Sequence, residues 1–155
     1  MKVFNLDSDP EWDRTEAREG WRIKDAWVGA HIDAELIGAS MYEVEPGDKQ
    51  GPFHTHHANE EWVIVLRGEP TLRTHEGAQQ LREGDVVAFP RGKEGAHQVI
   101  NRTETPIRVL MLSTLLKPDI VEYLDTGKVG ARSVAGDRIM LSRPGPELEY
   151  WEGED

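Results

Sequence analysis

The sequence predicts an all-β protein folded as an antiparallel barrel or sandwich, and three observations predict it. Short apolar runs recur at close intervals, most of them end at Gly or Pro, and no stretch sustains a long helical period. The clearest run is Glu61-Trp62-Val63-Ile64-Val65-Leu66, apolar on both faces and closed by Arg67-Gly68, as in a buried strand that ends in a turn.

The other strands follow from the same logic. Met41-Tyr42-Glu43-Val44-Glu45 alternates with period 2, and the segment from Ala26 to Glu45, interrupted by Gly29 and Gly38, predicts two strands before the turn Pro46-Gly47-Asp48. Thr71 to Thr74 predicts a strand that leads into a polar turn at His75-Glu76-Gly77. Gln79 to Arg82 predicts the next, before Glu83-Gly84-Asp85, and Val86 to Phe89 another, broken by Pro90-Arg91-Gly92. His97 to Asn101 and Ile107 to Thr114 add two more, with Arg102 to Pro106 turning between them. Beyond Lys117, Ile120 to Leu124 predicts one helical turn followed by a loop, and Asp137 to Ser142 a last strand.

A chain of 155 residues implies one domain. Residues 1–25 are polar and acidic, with Trp12 and Trp21 as their apolar anchors, and predict an arm packed on a barrel formed by residues 26–116. Residues 117–155 predict a C-terminal extension that wraps the barrel. The net charge of −11 repels phosphate backbones and anionic lipid heads, so nucleic acid and membrane surfaces are not expected partners. The first residues carry no apolar core of a targeting signal, and no apolar stretch approaches the roughly 20 residues of a spanning helix, which predicts a soluble, cytoplasmic protein. The chain has no cysteine, so any metal must be held by imidazole and carboxylate.

The chemistry concentrates in Pro52-Phe53-His54-Thr55-His56-His57-Ala58-Asn59-Glu60-Glu61-Trp62. In an extended strand His54 and His56 point to the same side, and Glu61 shares a face with Val63 and Val65, which puts its carboxylate in an apolar interior. A carboxylate there is costly unless paired or bound to a metal. His97 shares a face with Val99 and Asn101, and a third imidazole from that strand completes a set suited to zinc, iron, nickel, manganese or copper. Glu60 is the neighbouring alternative to Glu61; spacing favours Glu61. His57 faces away from His56, and His31 and His75 read as non-ligands. Asn101 reads as a residue that closes a turn or tethers a strand.

His54-x-His56, the six residues between Glu61 and Gly68, and the series Gly84, Pro90-x-Gly92, His97, Asn101 resemble the two motifs of the cupin family in order. The segments AFPRGKEGAHQVINRTETPIRVLMLST and VEYLDTGKVG, with the late YWEGE, extend the likeness to a group of small single-domain bacterial cupins from Gly38 onward. The resemblance implies a jelly-roll β-barrel (double-stranded β-helix) with N- and C-terminal extensions, a divalent transition metal (Zn, Fe, Mn or Ni) at its mouth and a homodimer. The sequence departs from the pattern twice. Gly47 lies one position too far from His54 and Gly51 too close, and four residues, Lys93-Glu94-Gly95-Ala96, separate Gly92 from His97 where two are usual.

Such a site implies an enzyme that uses the metal to orient a small organic molecule, with oxygenase or isomerase chemistry. The alternative is a non-enzymatic module of the same fold that captures a metabolite or a metal. What separates them is a proton-transfer group near the metal that is not itself a ligand, and the candidates are Glu60, His57 and Tyr42. A sugar-phosphate isomerase further needs a basic cluster, for which Arg67, Arg73, Arg91 and Lys93 are the candidates.

Overall fold

In the computed structural model, which describes residues 1–154, these strand signals assemble into two sheets that share one core. Along the chain the strands are β1 (Arg14–Glu16), β2 (Ile23–Ala26), β3 (Ile37–Val44), β4 (His54–His56), β5 (Glu61–Arg67), β6 (Thr71–Thr74), β7 (Gly77–Gln80), β8 (Val86–Phe89), β9 (Gln98–Ile100), β10 (Ile107–Thr114), β11 (Asp119–Tyr123), β12 (Lys128–Arg132) and β13 (Arg138–Ser142). The first sheet runs β1-β2-β3-β10-β5-β8, all antiparallel. The second is built from β7-β6-β9 and β13-β12-β11-β4, joined where His54 and His97 form a β-bridge. This is a jelly-roll barrel.

The core follows from the pleat. Val63 and Val65 of β5, Ile107, Val109 and Met111 of β10, and Val44 of β3 point inward against Leu72 and Val99 of the opposite sheet. β5 is apolar on both faces for a reason that lies elsewhere in the chain: Ile64 and Leu66 face outward into a second apolar cluster, around Met41 and Leu110, which Phe4, Leu6 and Trp12 of the N-terminal segment join. Arg108 fixes that segment. Its guanidinium donates to the Ser8 carbonyl at 2.8 Å and to Glu43 at 2.8 Å, and lies 5.3 Å from the Trp12 ring centroid. Trp62, the outward residue that the arm leaves uncovered, remains 42% exposed.

Three expectations change. Only one of the two strands predicted within residues 26–45, β3, runs through that segment; Val28–His31 instead makes one helical turn, α1. Asp13 causes this by accepting the Trp27 backbone N–H at 2.7 Å, and Gly29 lets the turn lie on β3, with its Cβ position 3.1 Å from the Ala39 nitrogen. The helical turn expected at Ile120 to Leu124 is strand β11, and the loop expected after it contains strand β12. Five residues are too few for a helix to form unaided, whereas β11 has a partner on each edge, β4 and β12, that satisfies its backbone. Ile23–Ala26 and Arg14–Glu16, which show no period, are strands because β3 offers an edge to the first and that strand in turn offers one to the second. No helix among the described residues is long and apolar enough to cross a membrane.

Asn101 ties the end of β9 to the first sheet. Fully buried, it donates to the carbonyls of Val44 (2.9 Å) and Thr105 (2.8 Å), while its oxygen accepts from the Thr103 backbone N–H and hydroxyl. Asn101→Ala leaves those partners unsatisfied and is expected to cost on the order of 2–3 kcal/mol, read as a lower midpoint in urea with an unchanged slope.

Candidate metal centre

The backbone brings the first two histidines together before any side chain is considered. His54 and His97 exchange both amide hydrogen bonds across the β4–β9 seam (3.2 and 3.0 Å), so imidazoles from two distant segments stand side by side. His56 lies two residues along the same face of β4. Glu61 opens β5 on the facing sheet, and its Oε2 lies 3.6 Å from His54 Nε2, 3.5 Å from His56 Nε2 and 3.5 Å from His97 Nε2. The ligand atoms of His54, His56 and Glu61 all fall within 4.8 Å of one another; His97 lies outside that mutual set and meets it through Glu61.

Each imidazole is oriented from behind. His54 Nδ1 bonds the Pro52 carbonyl at 2.8 Å, His56 Nδ1 the Asp119 carboxylate at 2.6 Å and His97 Nδ1 the Gly95 carbonyl at 2.9 Å. All three partners are acceptors, so the proton sits on Nδ1 and the Nε2 lone pair is left facing Glu61. His97 Nε2 and Glu61 Oε2 are buried with no hydrogen-bond partner. A buried acceptor left in that state costs about 1–3 kcal/mol, and a cation among the four groups removes the cost for both. The donor set and its backing therefore fit a divalent transition metal.

In the metal-free protein the electrostatics favour a neutral His97 and a charged Glu61, with His54 pulled towards the charged form. Burial pushes His97 down to about 4, reinforced by His54 and only partly offset by Glu61; its ring stacks on Phe89 at 3.7 Å and 7°. Burial opposes charge on His54 as well, but contact with Glu61 outweighs it and the net direction is upward. Burial raises Glu61, and the surrounding imidazoles more than reverse that, holding it below the ordinary carboxylate range.

A pH dependence follows for the metal-free protein. A histidine whose folded pKa lies below its unfolded value favours the folded state while neutral, and this is lost as protons bind the unfolded chain first. Stability is therefore expected to fall as pH drops from about 6.5 towards 4. Urea titrations of chelator-treated protein across that window read the slope, and His97→Gln is expected to flatten it.

The longer spacing between Gly92 and His97 is taken up by a 3₁₀ turn, Lys93–Gly95, whose Gly95 carbonyl orients His97. Gly92 opens the turn at φ 79°, a conformation that favours glycine. Gly95 closes it so tightly against the Pro90 carbonyl that no Cβ can be accommodated.

Sequence reasoning missed Asp119. Its buried carboxylate accepts from His56 Nδ1 and from the Ala58 backbone N–H at 3.0 Å, and these contacts hold it below its usual range against the opposing effect of burial. It lies 63 positions from His56, immediately before the segment read as a helical turn; reading Ile120-Val121 as a β-branched strand after Pro118 would have exposed it. Asp119→Asn is expected to weaken metal affinity roughly 10–100-fold with little change in circular dichroism, measured by competition with a chelating dye. The other acidic and histidine candidates are engaged elsewhere. Glu60 accepts from the Trp62 indole at 2.7 Å, His57 pairs with Glu122 at 2.6 Å, His31 pairs with Asp13 at 2.9 Å, and His75 packs edge-on against Phe53.

Comparison with known proteins agrees with this architecture. The family model described as the cupin domain matches residues 40–113, which contain all four candidate ligands. Among solved structures, a protein from Acidithiobacillus ferrooxidans described as a candidate sugar phosphate isomerase superposes with a TM-score of 0.75 at 26% identity, covering 84% of this chain and 83% of that one. A sugar phosphate isomerase of the cupin superfamily from Silicibacter pomeroyi superposes with a TM-score of 0.74 at 26% identity over 83% and 81%. The polyketide cyclase RemF from Streptomyces resistomycificus matches at 17% identity with a TM-score of 0.58 over 98% and 91%, a likeness of fold alone. No curated protein sequence matches this chain.

Proposed function

We propose that this chain, which the cupin-domain model matches over residues 40–113, is a divalent-metal enzyme of the isomerase type acting on a small hydroxylated organic molecule, with His54, His56, Glu61 and His97 as the metal ligands. One observation carries the reading: three imidazoles, each with Nδ1 tied to an acceptor, direct Nε2 at one buried carboxylate oxygen. The metal supplies a Lewis acid that polarises a substrate carbonyl or hydroxyl. Similarity to two proteins named as sugar phosphate isomerases, over more than four-fifths of both chains, supports isomerase over oxygenase chemistry.

An isomerase must also move a proton, and of the three candidate groups Tyr42 is the one that packs against the barrel core. Glu60 and His57 are exposed and hydrogen-bonded elsewhere. Tyr42 faces the interior from β3, against the core that Val63 and Val65 line, close enough for Glu61 to influence its ionisation. Burial, then Asp25, raise its pKa above the ordinary range and keep the hydroxyl protonated, which makes Tyr42 the candidate for the proton-transfer group.

The test begins with elemental analysis of protein purified without added metal or chelator. A near-stoichiometric transition metal is expected, followed by metal-dependent exchange of a substrate C–H for deuterium when aldose and ketose phosphates are offered in heavy water. Iron with oxygen consumption would move the reading to an oxygenase, and a bound metal without any turnover to a binding module. No metal at purification and none taken up on titration would overturn it.

A further inference from the structure

A cavity of about 230 Å³ is lined by Trp21, Lys49, Tyr123, Asp125 and Lys128 with four neighbours, none of them a candidate metal ligand; Tyr123 and Pro52 connect it to His54. Tyr123 pairs in register with His54 on one side and Lys128 on the other, and its ring stands 6.3 Å from the His54 ring at 24°. With the His54–His97 bridge, His97, His54, Tyr123 and Lys128 form one cross-strand row. Directly paired residues share a face, so the row leads from two candidate ligands to an ammonium group. Pro52, whose carbonyl orients His54, also borders the cavity.

We propose that this cavity binds the phosphate group of a phosphate monoester, with Lys49 and Lys128 holding the dianion and Trp21 and Tyr123 flanking the organic body. The charge arrangement points to an anion in a protein whose net charge is −11. Lys49 Nζ lies 5.1 Å from the Trp21 ring centroid and Lys128 Nζ 5.1 Å from the Tyr123 ring centroid. Among the described residues neither ammonium has a carboxylate within 4.0 Å. Asp125, the acid in the cavity wall, is engaged by Arg73 through two hydrogen bonds of 2.8 Å; Arg73 is the main cause of its lowered pKa and Lys49 only a minor one.

Two ammonium groups match a phosphate monoester, which carries about −1.5 to −2 at neutral pH, better than a carboxylate. The row from His54 to Lys128 spans two strand spacings, roughly 10 Å, a distance that a sugar-sized phosphate and the lysine stem cover together. As the far end of the substrate this site rests on the metal-centre reading; as a phosphate site it does not.

The test is an amide chemical-shift titration of the metal-free, full-length protein with inorganic phosphate, repeated with acetate. Saturable shifts are expected at Lys49, Tyr123 and Lys128, with acetate at least fivefold weaker and Lys49→Met/Lys128→Met at least fivefold weaker for phosphate. Metal uptake by that double variant is expected to equal the parent's, which also establishes that it is folded. Shifts scattered over the surface, none at these amides, or equal affinity for phosphate and acetate would overturn the proposal. Phosphate binding by a parent protein that takes up no metal would leave this site standing and remove the metal-centre reading.

Discussion

His56→Ala is expected to yield a folded barrel whose metal affinity falls by at least about 100-fold, beyond the 10–100-fold associated with losing only an outer partner such as Asp119. His56 is a ligand candidate with solvent beside it, its side chain 19% exposed, so truncation opens no sealed cavity. What it removes is one of three Nε2 atoms around Glu61 Oε2. His54→Ala and Glu61→Gln are expected to behave alike, and Glu60→Gln, on a side chain bonded to the Trp62 indole, is expected to retain metal. Metal content by mass spectrometry after dialysis, with circular dichroism on each variant, decides the matter. Full occupancy in the three ligand variants would remove the assignment, and loss in Glu60→Gln alone would transfer the carboxylate role to its neighbour.

What could be read in the sequence was whatever local pattern decides. β5, β6, β8 and β10 each carry their own alternation or turn signal and lie where the pattern put them. The spacing of His54, His56, Glu61 and His97 likewise anticipated their meeting, because period 2 fixes the face of each side chain and the barrel supplies the rest. Partner-dependent features were hidden. β1, β2, β11 and β12 are strands because an edge was available, and nothing in Ile120-Val121-Glu122 announces that β4, more than 60 residues earlier, will pair with it. Asp119 was invisible for the same reason: its role is set by which strand it lies beside. The lysines of the phosphate cavity went unmarked, and of the cations first considered for such a role, Arg73 is bound to Asp125 of the cavity wall.

Gly95→Ala tests the point at which this chain departs from the usual cupin spacing. The insertion is tolerated because the turn Lys93–Gly95 folds back on Pro90, with the Gly95 N–H donating to the Gly92 carbonyl at 3.0 Å and the Ala96 N–H to the Lys93 carbonyl at 3.1 Å. A methyl at Gly95 overlaps the Pro90 carbonyl, which is backbone and cannot rotate aside, so the turn must open. Overpacking of this kind costs roughly 1–3 kcal/mol or more, and for a chain of this length each kcal/mol lowers Tm by about 2–4 °C. The functional consequence is larger than the thermal one, since the Gly95 carbonyl is the acceptor that orients His97. Gly95→Ala is therefore expected to lose metal affinity as well as stability. Gly51→Ala, at a glycine with open space around its Cβ position, is expected to leave both close to the parent. Thermal melts and metal competition on the two variants separate the outcomes: parent-like affinity in Gly95→Ala would mean that His97 keeps its orientation without this turn, and would remove His97 from the ligand set or the turn from its support.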